Sequence, residues 1–315
     1  MFSSVKSSFG IIGASIRLMA RYPSLLVPVF VVWAVFAPVS VYMYFDFPKL
    51  ELSGGAVVAV VFGLIFAFSI LMSFTCFMLL EQIRRIESGI KPSLTGALWS
   101  ALTNTLRAIH VTAIWALIWF VLFLLERLLS RGSDSEENDA EPEPFSMKGA
   151  AEVVAGYERT SLSETFIRAV RKGVRMVAFL IYPAIAWEPD RRGIKRGIDI
   201  AVARKAEFAA GFVLTELAAT VAFFPALIVF WISGEFEVDF PDWVWMSMII
   251  YCGFAWSFSL LLEQLFSAEL YLWHWKWELE AEKATAAGAS PPLFSEIPSP
   301  SLLDDSPDMP QPNES

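Results

Sequence analysis

The chain has 315 residues, 56% of them apolar and 18% charged, and its mean hydropathy of +0.53 lies above what a water-soluble domain of this length reaches. A soluble globule is thereby excluded, and so are disulfide-framed and Cys-ligated metal proteins, because the only cysteines, Cys76 and Cys252, fall inside apolar runs. The net charge of −9 is concentrated: 132–143 holds six acids, 284–315 holds five, neither stretch has a Lys or Arg, and the rest of the chain is slightly basic.

From the N-terminus, Phe2, Val5, Phe9, Ile12, Ile16 and Met19 recur at three- and four-residue steps beside Lys6, Arg17 and Arg21. This pattern predicts an interfacial amphipathic helix over 1–20, lying on an anionic inner leaflet. A cleaved signal peptide is the rival, but its apolar core is missing until Leu25. Five runs, at about 24–45, 55–80, 109–129, 208–233 and 243–270, supply the roughly 20 apolar residues that a helix needs to cross about 30 Å of hydrocarbon. A sixth, at 170–187, is apolar only over 176–187 and contains Pro183. Counting it as a crossing with the N-terminus inside places 15 of the 24 basic residues on the inner side, so the positive-inside rule favours six spans and two inner termini.

Residues 163–187 are expected to form one helix, with Arg168, Arg171, Lys172 and Arg175 along one face. Arg171, Lys172 and Arg175 are expected to reach toward the headgroups, and the face to pair with the acidic outer loop 130–162. Both the insert at 131–143 and the tail 278–315 are too polar or too rich in Pro to bury a core, and disorder is expected there. In the tail, Leu293-Phe294 and Leu302-Leu303 have the pattern of short docking motifs, with an inert tail as the alternative. Trp187, Trp231, Trp243, Trp245, Trp273, Trp275 and Trp277 cluster at span ends as an aromatic belt. The fold class is therefore all-α: a polytopic bundle over 21–277 with an N-terminal interfacial helix.

Two units share an order of parts. Gly13, Ile16, Ala20 and Arg21 precede a span, a short acidic loop and a span ending Leu79-Leu80-Glu81-Gln82. Gly197, Ile200, Ala203 and Arg204 precede a span, a short acidic loop and a span running into Leu261-Leu262-Glu263-Gln264. This order predicts a parallel internal repeat. Glu81, Gln82 and Gln264 then serve as helix–helix polar contacts.

An ionisable side chain within a span is costly and thus a functional candidate. Glu216, nine residues past Glu207 and so roughly 13 Å along a helix, is the deepest. It is either a proton- or cation-binding carboxylate facing the bundle interior or a protonated Glu bonded to Thr215 or Thr220. Glu263 is a second intramembrane candidate, whereas Glu269 is expected to be interfacial and solvated. The basic stretch with Arg191, Arg192, Lys195, Arg196, Arg204 and Lys205 is a candidate headgroup-binding surface, although topogenic charge also accounts for it. His110 and His274 do not make a metal site, and no phosphate loop, nucleophile elbow or HExxH motif occurs. No catalytic residue, metal or cofactor is therefore expected.

Three sets of residues carry a resemblance: an Arg-containing N-terminal helix leading into the first span, Leu180-Ile181-Tyr182-Pro183-Ala184-Ile185-Ala186-Trp187-Glu188 before a short basic helix, and Phe266-Ser267-Ala268-Glu269-Leu270-Tyr271 in the last span. With these the chain resembles a prokaryotic family of six-span integral membrane proteins of unknown function, over about 9–277. The resemblance implies a bacterial or archaeal plasma membrane and brings no substrate or catalytic residue. The acidic loop and Pro-rich tail depart from the family pattern. The first functional expectation is a non-catalytic scaffold or assembly partner, with membrane lipid and, through the tail or acidic loop, a protein as partners, and no nucleic acid. The alternatives are a small-solute or ion transporter with Glu216 as its carboxylate, and a lipid-modifying enzyme.

Overall fold

The computed structural model of the chain describes residues 13, 16–50, 52–87, 90, 93–130, 145–155, 162–188 and 193–297. Among them are nine α-helices: α1 Leu26–Phe45, α2 Gly54–Glu87, α3 Leu94–Arg107, α4 Ile109–Ser130, α5 Met147–Ala155, α6 Leu162–Trp187, α7 Gly193–Ala203, α8 Lys205–Glu235 and α9 Asp242–Ala286. Five helical stretches, those of α1, α2, α4, α8 and α9, are long and apolar enough to cross a membrane. The chain is an all-helical, multi-pass membrane bundle. Only 13 and 16–21 of the N-terminal segment are described, and 16–21 are helical; the acidic insert 131–143 lies outside the described residues.

Packing closes a ring. α1 lies against α2, α2 against α4, α4 against α6, α6 against α9, and α9 returns to α1. α8 packs on α9 from outside the ring, and the short α5 sits across α1 and α9. Ala151 of α5 joins Ala226, Phe230, Trp245 and Cys252 in a small apolar cluster that fixes α5 at one end of the bundle.

α9 is the pillar of the fold. Its 45 residues span about 68 Å at 1.5 Å per residue, far beyond the hydrocarbon. Every residue from Leu260 to His274 is buried, so this stretch is enclosed by protein on all sides. Close approach is possible where side chains vanish: a Cβ at Gly253 would stand 2.6 Å from the Trp33 ring, and one at Gly211 would stand 2.0 Å from the Phe266 ring.

α6 explains itself by the same enclosure. Its second half buries Met176, Phe179, Leu180, Tyr182 and Ala184 in the main core. A helix surrounded by other helices does not need an apolar surface all round, and α6 keeps its cations because partners within the bundle receive them.

Three expectations are corrected here. Glu269 is fully buried rather than solvated. The segment 278–297 is not a loose tail: α9 continues to Ala286, and a 3-10 turn at Phe294–Glu296 folds back on it. There the Trp273 indole donates to the Ile297 carbonyl at 3.1 Å and the Trp277 indole to the Pro292 carbonyl at 3.0 Å. Tail residues 298–315 lie outside the described residues. The belt also divides, since Trp231 and Trp243 are exposed while Trp245 and Trp273 are buried and brace chain turns instead.

Candidate functional site: a cavity inside the helix ring and its charged floor

The ring helices do not meet along their whole length. They leave a cavity of about 230 Å³ to which all five contribute: Trp33, Phe36, Ala37 and Ser40 from α1, Phe68 and Met72 from α2, Trp119 from α4, Arg175 from α6, and Trp256 and Leu260 from α9. Val153 and Val154 of α5 also line it. The walls are aromatic, with Phe36 edge-on to Phe68 at 4.8 Å between centroids and Phe68 flanked by Trp119 at 6.0 Å and Trp256 at 6.5 Å. Past Met72, α2 and α6 come together and close the ring. The Tyr182 and Ser73 hydroxyls lie 2.6 Å apart, Ser73 and Thr112 lie 2.8 Å apart, and Phe77 packs against the Tyr182 ring.

Arg175 is the charged side chain of the lining. Its Nε and Nη2 donate to the two carboxylate oxygens of Glu263 on α9 at 2.7 and 2.9 Å, a bidentate pair in which the Glu263 side chain is 3% exposed. Lys172, one turn earlier, lies 3.7 Å from Glu263 and 2.6 Å from Glu216 of α8, and also donates to the Phe212 carbonyl at 3.1 Å. Its Nζ stands 4.8 Å from the Phe212 ring centroid, a favourable cation–π contact. Arg171 pairs with Glu126 of α4. Arg171, Lys172 and Arg175 of α6 thus turn into the protein and meet one carboxylate from each of three helices, instead of reaching for headgroups, while Arg168 is exposed.

Glu216 is corrected by this geometry. It stands on the peripheral α8 and its side chain is 58% exposed, so the buried carboxylate at the centre is Glu263. Thr215 and Thr220 donate to the Phe212 and Glu216 backbone carbonyls and do not meet the Glu216 carboxylate. Of the polar-contact residues, Glu81 is held by Arg84 at 2.8 Å and Arg85 at 3.1 Å on its own helix and accepts from Ser100 of α3 at 3.5 Å. Gln82 and Gln264 are buried, but their amides make no hydrogen bond among the described residues, so they do not join helices as expected.

The candidate headgroup surface divides in the same way. Lys195 and Lys205 are exposed, and Arg191 and Arg192 lie outside the described residues. Arg196 turns inward to Glu188 at 2.7 Å and Glu278 at 2.6 Å. Burial works against its charge, but Tyr271 and Glu278 outweigh burial and hold its pKa above the ordinary arginine value. Arg204 lies beneath Phe294, 3.5 Å from the ring centroid, with Trp277 at 4.5 Å and His274 accepting its Nε–H at 3.2 Å. Burial lowers its pKa. Glu188, Arg196, His274 and Glu278, with Lys195 and Asp199, line a second, polar cavity of about 320 Å³.

Among the described residues no cluster of three or more His, Cys, Asp or Glu side chains is placed to hold a metal ion. Sequence reasoning missed Arg175 and Glu126 as site residues. The available signal was a match in number: Arg171, Lys172 and Arg175 on one helix, and Glu126, Glu216 and Glu263 in three apolar runs. No family model, curated protein or solved structure matches the chain.

Proposed function

We propose that the chain is a membrane transport protein that carries a small solute through the helix ring, with Arg175 and Glu263 as its ionic centre. The observation that carries this is the guanidinium of Arg175 lining an aromatic cavity inside the bundle, backed by a buried carboxylate. Buried charge within a membrane bundle is expensive, and a passive bundle gains more from apolar packing at such positions. In this proposal Glu216 acts at one remove, by sharing Lys172 with Glu263.

Six crossings, by α1, α2, α4, α6, α8 and α9, go with this function, as do inner termini in a bacterial or archaeal plasma membrane. The enclosed second half of α6 and the charge distribution of the loops support them. A parallel repeat of α1–α2 and α8–α9 is supported by the matched burial of Glu81-Gln82 and Glu263-Gln264. The experiment is flux across proteoliposomes holding the full chain, wild type against the double variant R175Q/E263Q. Uptake of a solute that the double variant abolishes supports transport, and flux equal to protein-free vesicles for every solute of a charged and neutral panel opposes it.

A scaffold or assembly partner is the second proposal, favoured by α3. Ser93 caps this helix by accepting from the Gly96 N–H, and Leu94, Leu98, Leu102 and Leu106 form an exposed stripe beside Trp99. Such a stripe fits the membrane interface or an apolar partner surface. L98E should release a co-purifying partner if the stripe binds one.

A further inference from the structure

The cavity inside the ring has a definite chemical preference. Of the four charged groups in the cluster beneath it, Arg175 alone contributes to the lining, while Lys172, Glu263 and Glu216 stand behind it. The cluster is nearly neutral as a whole, yet its cationic end faces the cavity. Glu263 occupies Nε and Nη2 of Arg175, and Nη1 has no hydrogen-bond partner among the described residues. A guanidinium presented in this way, in surroundings of low dielectric, favours an anion that accepts a charge-assisted hydrogen bond.

The rest of the lining sets the body of the ligand. Trp33, Phe36, Phe68, Trp119 and Trp256 offer ring faces and edges, and an apolar body packs against these far better than a hydrated inorganic ion does. Size sets an upper bound. A dry apolar cavity of about 150 Å³ holds benzene, so about 230 Å³ accommodates one ring with a carboxylate-sized head and excludes a phospholipid.

We propose that this cavity binds a small organic monoanion, a carboxylate on a single ring-sized apolar body, with the carboxylate on Arg175 and the body among the aromatic walls. If the chain is a transporter, this anion is its solute, and to that extent the assignment rests on the function proposed above. A cation is repelled by Arg175, and a neutral isostere lacks the charge-assisted bond.

The test uses the full chain in nanodiscs and three probes of one shape: benzoate, benzamide and benzylamine. Tryptophan fluorescence reads binding, since three of the cavity walls are indoles. Benzoate is expected to bind at least about tenfold more tightly than benzamide, a difference of about 1.4 kcal/mol, and benzylamine not to bind. Two variants place the site. R175Q/E263Q removes the charge preference while leaving no lone buried charge, and S40W fills the cavity with the ion pair intact, which keeps the test available if the double variant fails to fold. Equal binding of benzoate and benzamide, or benzoate binding unchanged in S40W, overturns the proposal. Benzoate binding without flux overturns transport and leaves the site standing. Flux that R175Q/E263Q abolishes, with no benzoate binding, overturns the ligand class and leaves transport standing.

Discussion

Arg175 and Glu263 hold α6 to α9 through two parallel hydrogen bonds of 2.7 and 2.9 Å, made where the Glu263 carboxylate is almost wholly enclosed. Breaking one side of such a pair leaves a buried charge without compensation. E263Q should therefore destabilise the protein by about 3–5 kcal/mol and R175Q by less, because Lys172 still faces Glu263 at 3.7 Å, whereas R175Q/E263Q should cost clearly less than the sum of the two. Denaturant or thermal unfolding of all four proteins in detergent gives the cycle. Additive losses would show that the pair is not a unit.

Glu216 should matter much less to stability. Its carboxylate is more than half exposed, and Lys172 keeps the Phe212 carbonyl and Glu263 when it is removed. E216Q should cost less than E263Q, because Lys172 keeps two other partners when the Glu216 carboxylate is neutralised. An unfolding midpoint lowered as far as that of E263Q would contradict the ranking.

The turn at Phe294–Glu296 should come loose when its ring is removed. Phe294 lies 4.1 Å from the Trp273 ring centroid and covers Arg204. F294A should expose the segment after Ala286 to protease, with cleavage at least tenfold faster than in the wild type. The helical core should stay intact. Unchanged cleavage would mean that the two indole hydrogen bonds hold the segment alone.

The path of α6 is open to a labelling experiment on a C76A/C252A background. Single cysteines replacing Ser53 and Asp239 should react from one side of the membrane. Cysteines replacing Lys195 and Ser290 should react from the other; all four positions are exposed. Reaction of the Lys195 position from the same side as Ser53 would show that α6 does not cross.

The five long apolar helices were legible because composition alone forces them into lipid, as in 55–80 and 208–233. The charged site was legible only as single residues. Glu216 drew attention by depth, which sequence gives, but burial depends on which side of a helix faces its neighbours, and α8 turned out to lie outside the ring. Arg175 was assigned to headgroups because snorkelling is the cheapest fate of a cation near a span end. Its true partner is 88 positions away, and pairing at that distance in the chain leaves no local pattern. The folding back of 292–297 was missed for a related reason: a segment judged polar on average is held by Trp273 and Trp277, residues assigned instead to an aromatic belt.

The most direct test of the central claim compares two faces of α1. Ser40 is exposed and belongs to the cavity lining, while Val35, also exposed, lies on another side of the same helix and does not line the cavity. On the C76A/C252A background, S40C should react with a membrane-impermeant anionic thiol reagent and V35C, facing lipid, should not. Prior addition of benzoate should slow the S40C reaction. Reaction at V35C with none at S40C would contradict a solute-accessible cavity inside the ring.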